Sequence, residues 1–223
     1  MLILAIDTSG RNGSVALCRG DIDRCDVLEF TILEGGTYSA RLVPCIAEIL
    51  QQAGLSKANI DAVAVVDGPG SFTGLRVGLS TAKALCEVLA KPLVTVSMLE
   101  ALALSYGTDG ESVTAILDAG RGELYVGEYL VEGQRAELRS ESISKLSDVM
   151  AGLPAREIRI VTTLPALFET GSSHVTLVKP SQADAIARIG LRKLIAGEAA
   201  DPATLDANYI RRSDAELYSP AKH

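Results

Sequence analysis

Residues 67–85 read DGPGSFTGLRVGLSTAKAL, with glycines and a serine set ahead of a helical run. Backbone N–H groups at such a helix start attract phosphate. A Walker loop, however, needs GxxxxGK followed by Ser or Thr, with the lysine on the β- and γ-phosphates. Here Gly74 leads into Leu75 and Arg76. The dinucleotide fingerprint GxGxxG is also missed, since Gly68, Gly70 and Gly74 are out of step by one residue. What survives is the general attraction of a helix N-terminus for anions, which leaves Asp7, Gly70 and Ser71 for a weak phosphate or nucleotide contact. The enzymatic alternative is a nucleotide phosphohydrolase or kinase using Asp7 and the Gly68–Gly74 loop. Asp7 and Asp118 each close an apolar run before a polar, glycine-bearing turn, which favours a turn-shaping role for both.

Other chemistries find few residues. Ser9 and Ser71 lie in turns, but no motif places His174 or His223, the only histidines, as a base for either. Cys18, Cys25, Cys45 and Cys86 form no CxxC pair, so buried, reduced thiols are expected rather than a metal site. A net charge of −7 opposes autonomous binding to nucleic acid. With 48% hydrophobic and 22% charged residues the chain reads as globular, not disordered. The start MLILAI meets Asp7 too soon for a signal peptide, and no apolar run nears the roughly 20 residues of a membrane span. The expected location is the cytoplasm.

The elements that must position these residues are legible from periodicity and turn chemistry. A strand ending at Asp7 turns into a second from Ser14, and a third covers Asp26–Leu33. A helix over 37–54, with Thr37 or Ser39 as cap and Gly54 as stop, precedes a strand over Ala62–Val66. A helix over Thr73–Leu89, a strand over Leu93–Val96 and a helix over Met98–Tyr106 follow. The pattern then restarts, with strands at Val113–Leu117 and Glu123–Val131, a helix near Lys145–Met150, a strand at Ile158–Val161 and a helix at Gln182–Ala196. The polar tail from Asp201 is expected along the surface. Both halves open with strand, aspartate, turn and strand, an internal duplication with a boundary near 97–110. The expected lobes are 1–100 and 101–223.

Two helices carry more apolar surface than one sheet face requires. In the second, Gly74, Gly78 and Ala82 recur every four residues, a stripe that admits close approach. Its polar residues Arg76, Ser80, Lys83 and Glu87 share an arc of about 60°. In the first, Leu42, Ile46, Ile49, Leu50 and Ala53 fall at helical spacing, opposite Arg41, Glu48, Gln51 and Gln52. The surplus suits a docking face that forms a four-helix bundle with a partner. The alternative is that the helices pack on each other within one lobe.

GPGSFTGLRVG (68–78), behind an ILAIDTS start, resembles the TsaB family, also called YeaZ. SARLVPCIAEIL, LDAGRGELYVGEY and NYIRR resemble further family segments in the right order, so the likeness runs the length of the chain. The chain departs from the pattern at Tyr38, where histidine is common, at Arg121, shifted by one in the DAR stretch, and at Ala207, a common proline. The resemblance implies an α/β ASKHA fold of two related lobes, with mixed sheets flanked by helices. It also implies a non-catalytic subunit of tRNA threonylcarbamoyladenosine synthesis that docks TsaD, admits TsaE, reaches tRNA only through the complex, and pairs with itself when alone. ATP and a metal would then belong to partner subunits, with no cofactor on this chain. The expected interface is Leu42, Ile46, Ile49, Leu50, Gly74, Leu75, Gly78, Leu79 and Ala82.

Overall fold

In a computed structural model, residues 1–21, 24–152, 158–169, 173–179, 182–208 and 210 are described. The first half runs β1 (Leu2–Asp7), β2 (Gly13–Gly20), β3 (Cys25–Leu33), α1 (Tyr38–Gln52), β4 (Ala62–Gly68), α2 (Phe72–Leu89), β5 (Leu93–Ser97) and α3 (Met98–Tyr106). The second runs β6 (Ser112–Gly120), β7 (Glu123–Glu132), β8 (Arg135–Lys145), α4 (Leu146–Gly152), β9 (Arg159–Thr162), α5 (Pro165–Phe168), β10 (Val175–Leu177) and α6 (Ala183–Ile195).

The strands form two sheets of five, ordered β3-β2-β1-β4-β5 and β10-β9-β6-β7-β8. Read from the other edge, the second repeats the first. In each, the opening strand pairs antiparallel with the next and parallel with the strand after the first crossover. The repeated strand–aspartate–turn–strand pattern is thus a repeated half-sheet.

Side-chain size sorts the first sheet's two faces. Leu2, Leu4, Ile6, Val15, Leu17, Val63 and Val65 meet α1 and α2 on one side. Ile3 and the small residues Ala5, Ala16, Ala62 and Ala64 meet α6 on the other. Leu99, Leu102 and Ala103 of α3 lie on the second sheet against Val113, Ala115, Tyr125 and Tyr129. The last helix of each half therefore covers the sheet of the other half. A cut at residue 100 separates the sheets but leaves α6 with the wrong half.

The sequence reading placed most elements within two or three residues and missed β8, α5 and β10. β8 is an edge strand whose residues are half-buried or exposed, so it lacks the apolar alternation that marks a strand. Thr37 holds the N-cap position of α1, but its hydroxyl donates to the Glu34 carbonyl at 2.7 Å instead of capping. Gly54, at φ +66°, closes that helix. The tail stays close to the body: Asn208 N–H donates to Asp67 O at 2.8 Å, and the Lys83 ammonium donates to Leu205 O.

Candidate functional site

Between the lobes lies a cleft of about 1180 Å³. The first lobe lines it with the β1–β2 turn, the Gly35–Gly36 turn, the start of α1, and Pro69, Gly70, Ser71, Thr73 and Gly74. The second contributes Leu117, Asp118 and Ala119 at the end of β6, Tyr125, and Thr163–Pro165.

The glycines of the 68–78 stretch make the first wall. A Cβ on Gly74 would collide with the Thr8 carbonyl, and one on Gly78 with the Thr8 hydroxyl. Their absence lets the β1–β2 turn nest on the first turns of α2. Thr8 Oγ1 donates to Gly74 O at 2.8 Å, and Ser71 N–H to Ser9 O at 2.6 Å. Ser71 caps α2, its Oγ accepting from Gly74 N–H at 3.3 Å. The nearest atoms a Cβ would meet at Gly74 and Gly78 belong to Thr8, Ser71 and Val65, so the stripe admits this chain's own turn.

Asp7 is fully buried beside this wall and does not line the cleft. One carboxylate oxygen accepts from Ser9 N–H at 2.9 Å and Ser9 Oγ at 2.7 Å, which shapes the turn. The other accepts from Gln182 N–H at 3.4 Å. Ser14 Oγ accepts from Ala183 N–H at 3.1 Å, so two β1–β2 residues satisfy the start of α6 from across the fold. Burial pushes the Asp7 carboxyl above its ordinary range, against the pull of these hydrogen bonds. Gly70 and Ser71 do line the cleft, so of the three residues left for a phosphate contact only these two reach it.

Asp118 lies two residues before the end of the corresponding strand but is exposed on the cleft wall, accepting from Gly120 N–H at 2.8 Å. Arg121 follows at φ +58° in the β6–β7 turn. Tyr38 takes a structural post: its hydroxyl donates to Gly10 O at 2.9 Å, and burial pushes its pKa up to about 12. Among the described residues, no three His, Cys, Asp or Glu side chains come together as metal ligands. No helix of the described residues is long and apolar enough to cross a membrane.

The nine expected interface residues all turn inward. Leu42, Ile46, Ile49, Leu50, Leu75, Leu79 and Ala82 are between 0% and 6% exposed, and Gly74 and Gly78 are buried beneath Thr8. The largest aliphatics of a broadly apolar helix go to its own sheet, and the periodicity found that side. The surplus is on the outer side: Ala40, Val43, Pro44 and Ala47 of α1, and Thr73, Ala84 and Val88 of α2, are exposed. Val43 is 59% and Val88 76% exposed. Sequence reasoning had the signal for these residues in the apolar positions left over once the sheet-facing set is removed. Of the tail motif, Tyr209, Arg211 and Arg212 lie outside the described residues.

Known proteins carry the same pattern. The family model described as TsaD, tRNA N6-adenosine threonylcarbamoyltransferase, matches residues 36–197. The TsaB protein of Bacillus subtilis is 35% identical over 129 residues, 58% of this chain and 55% of that protein. The chain belongs to the TsaB (YeaZ) family. It spans little more than half the length of the TsaB relatives it matches, that of Haemophilus influenzae included, at 35% identity and 57%. An uncharacterized protein of Mycobacterium bovis matches more fully, 32% identical over 96% of this chain and 93% of its own. The solved YeaZ of Pseudomonas aeruginosa superposes with a TM-score of 0.75 at 26% identity, over 93% of this chain and 99% of that one. The two mixed sheets and their crossed helices are the ASKHA architecture, which this chain shares with that TsaB structure.

Proposed function

We propose that the chain serves tRNA threonylcarbamoyladenosine synthesis as a non-catalytic subunit that docks TsaD. The observation that carries this reading is the outer side of α1 and α2. The two helices pack side by side, and both expose small or apolar residues, Val43 and Val88 foremost, beside the charged Arg41, Glu48, Arg76 and Glu87. Asp7 supports the same reading, since its buried carboxylate is committed to Ser9 and to the start of α6. In this reading TsaE joins the assembled pair, tRNA is reached through the complex, and ATP and metal chemistry stay with the partners. Alone, the chain pairs with a second copy through the same face.

Mixing the chain with TsaD and measuring mass in solution tests the proposal. Wild type forms a complex. Val43→Glu and Val88→Glu, both on exposed positions, keep the fold by circular dichroism and weaken binding at least tenfold, about 1.4 kcal/mol. Unchanged binding by both variants sinks the docking face. A second reading, nucleotide chemistry in the cleft, rests on Gly70 and Ser71 at the start of α2. Titration of the isolated chain with ATP and magnesium decides it, because turnover would replace the non-catalytic assignment.

A further inference from the structure

Two of the four cysteines meet. Gly20 of β2 pairs with Cys25 of β3, and Cys18 pairs with Val27. Residues two apart on a strand share a face, as do directly opposed residues, so Cys18 and Cys25 are diagonal neighbours on the α6 side of the sheet. Cys18 is fully buried, whereas Cys25 is only half-buried near the start of edge strand β3. Cys45 and Cys86 are buried apart from them.

We propose that Cys25 and Cys18 form a thiol–disulfide exchange site for an oxidised low-molecular-weight disulfide such as oxidised glutathione. Cys25 is the accessible sulfur, and Cys18 is the resolving one behind it. Charge around the pair agrees with this division. The Cys18 hydrogen bond holds the Cys25 thiol below its usual range against the opposing effect of burial, with Arg188 and Arg192 of α6 acting in the lowering sense and Asp26 against. Burial raises the thiols of Cys45 and Cys86, and the bond to Cys25 raises that of Cys18. A thiolate is the attacking species, so Cys25 reacts first.

In the first step the Cys25 thiolate attacks one sulfur of the disulfide. The S–S bond breaks, and one thiolate leaves with the electron pair and takes a proton from water. The hydrogen bond and like charge that held the Cys18 proton are then gone. Cys18 gives that proton to solvent and attacks the Cys25 sulfur, and the second small thiolate leaves. Two protein thiols are oxidised to one disulfide, and one small disulfide is reduced to two thiols.

The test treats the reduced chain with oxidised glutathione, then maps it by alkylation and mass spectrometry. Wild type is expected to lose two hydrogens and yield a linked Cys18–Cys25 peptide. Cys18→Ser stops with one glutathione on Cys25, and Cys25→Ser leaves Cys18 unmodified. Iodoacetamide, a second readout on wild type, labels Cys25 at least roughly tenfold faster than Cys45 or Cys86. The proposal is overturned by first reaction at Cys45 or Cys86, by a mixed disulfide on Cys25 that never resolves, or by no reaction.

Discussion

Asp7 ends β1 and Asp67 lies one residue before the end of its parallel neighbour β4, and burial raises both carboxyls, yet their surroundings differ. Asp7 accepts three hydrogen bonds, two from Ser9 and one from Gln182 N–H. Asp7→Asn keeps a carbonyl for Ser9 but sets an amide NH2 against the Gln182 N–H. The expected cost is about 1–2 kcal/mol by urea denaturation, with TsaD binding unchanged. A folded, TsaD-binding variant that abolished tRNA modification by the complex would restore a chemical role to Asp7. Asp67 Oδ1, by contrast, is buried with no hydrogen-bond partner among the described residues, and Thr95 and Lys193 only partly offset the burial of this carboxyl. Its raised carboxyl means the folded state holds the proton better than the unfolded chain. That stability is complete below the ordinary 3.8 and is lost as pH rises through the folded value. Asp67→Asn removes the titration. The variant is expected to be more stable than wild type at neutral pH, by about 1 kcal/mol, with the gap closing toward pH 4. A variant no more stable at pH 7 would show that the carboxylate is solvated or paired.

At the scale of an element, α2 shows what a pattern can and cannot say. Its polar arc was legible, and Arg76, Ser80 and Glu87 are exposed, with Lys83 half-buried. Its apolar remainder was legible as surplus, but periodicity alone does not tell which apolar side the sheet takes. That choice depends on β1 and β4, whose paired residues, such as Ile3 and Ala62, are 59 apart in the chain yet adjacent in the sheet. The glycine stripe failed for a related reason. Spacing shows that something approaches closely, but Thr8 contacts Gly74 and Gly78 only after the β1–β2 turn folds over α2. β8 was illegible because an edge strand with little burial leaves no alternation to find. Gly78→Leu is accordingly expected to break this chain's own packing. Thr8 is pinned by its hydrogen bond to Gly74 O, so the leucine cannot be absorbed cheaply. Thermal and urea melts should show a loss of about 1–3 kcal/mol or more. Ala84→Leu on the exposed side should change stability by no more than about 0.5 kcal/mol. Equal losses would mean that the outer side is packed as tightly as the inner one.

The crossed helices make the whole molecule one folding unit despite its duplicated sheets. The duplication was readable because each half repeats its opening pattern. The crossing was not, since no local signal says which sheet a terminal helix will cover. Ile186, Ile189 and Leu191 of α6 are buried against the first sheet's small-residue side, among Ile3, Ala5, Ala62 and Ala64. Burying each such side chain gives about 1.5–3 kcal/mol, so the three together match much of a domain's net stability of about 5–15 kcal/mol. Lys193 adds an ion pair to Glu100 of α3 at 2.7 Å, tying the two crossed helices together. A fragment of residues 1–110 would leave bare both the α6 side of its sheet and the second-sheet face of α3. It is expected to be insoluble or to bind a hydrophobic dye without a cooperative melt. The full chain is expected to unfold in a single transition, with far-ultraviolet circular dichroism and tyrosine fluorescence coinciding. Tyrosine reports on both halves, since Tyr38 is in α1 and Tyr125 and Tyr129 are in β7. Ile186→Ala should lower that one transition by about 2–5 kcal/mol without splitting it. Two separated transitions, or a 1–110 fragment that melts cooperatively, would show that each sheet stands without the helix it borrows.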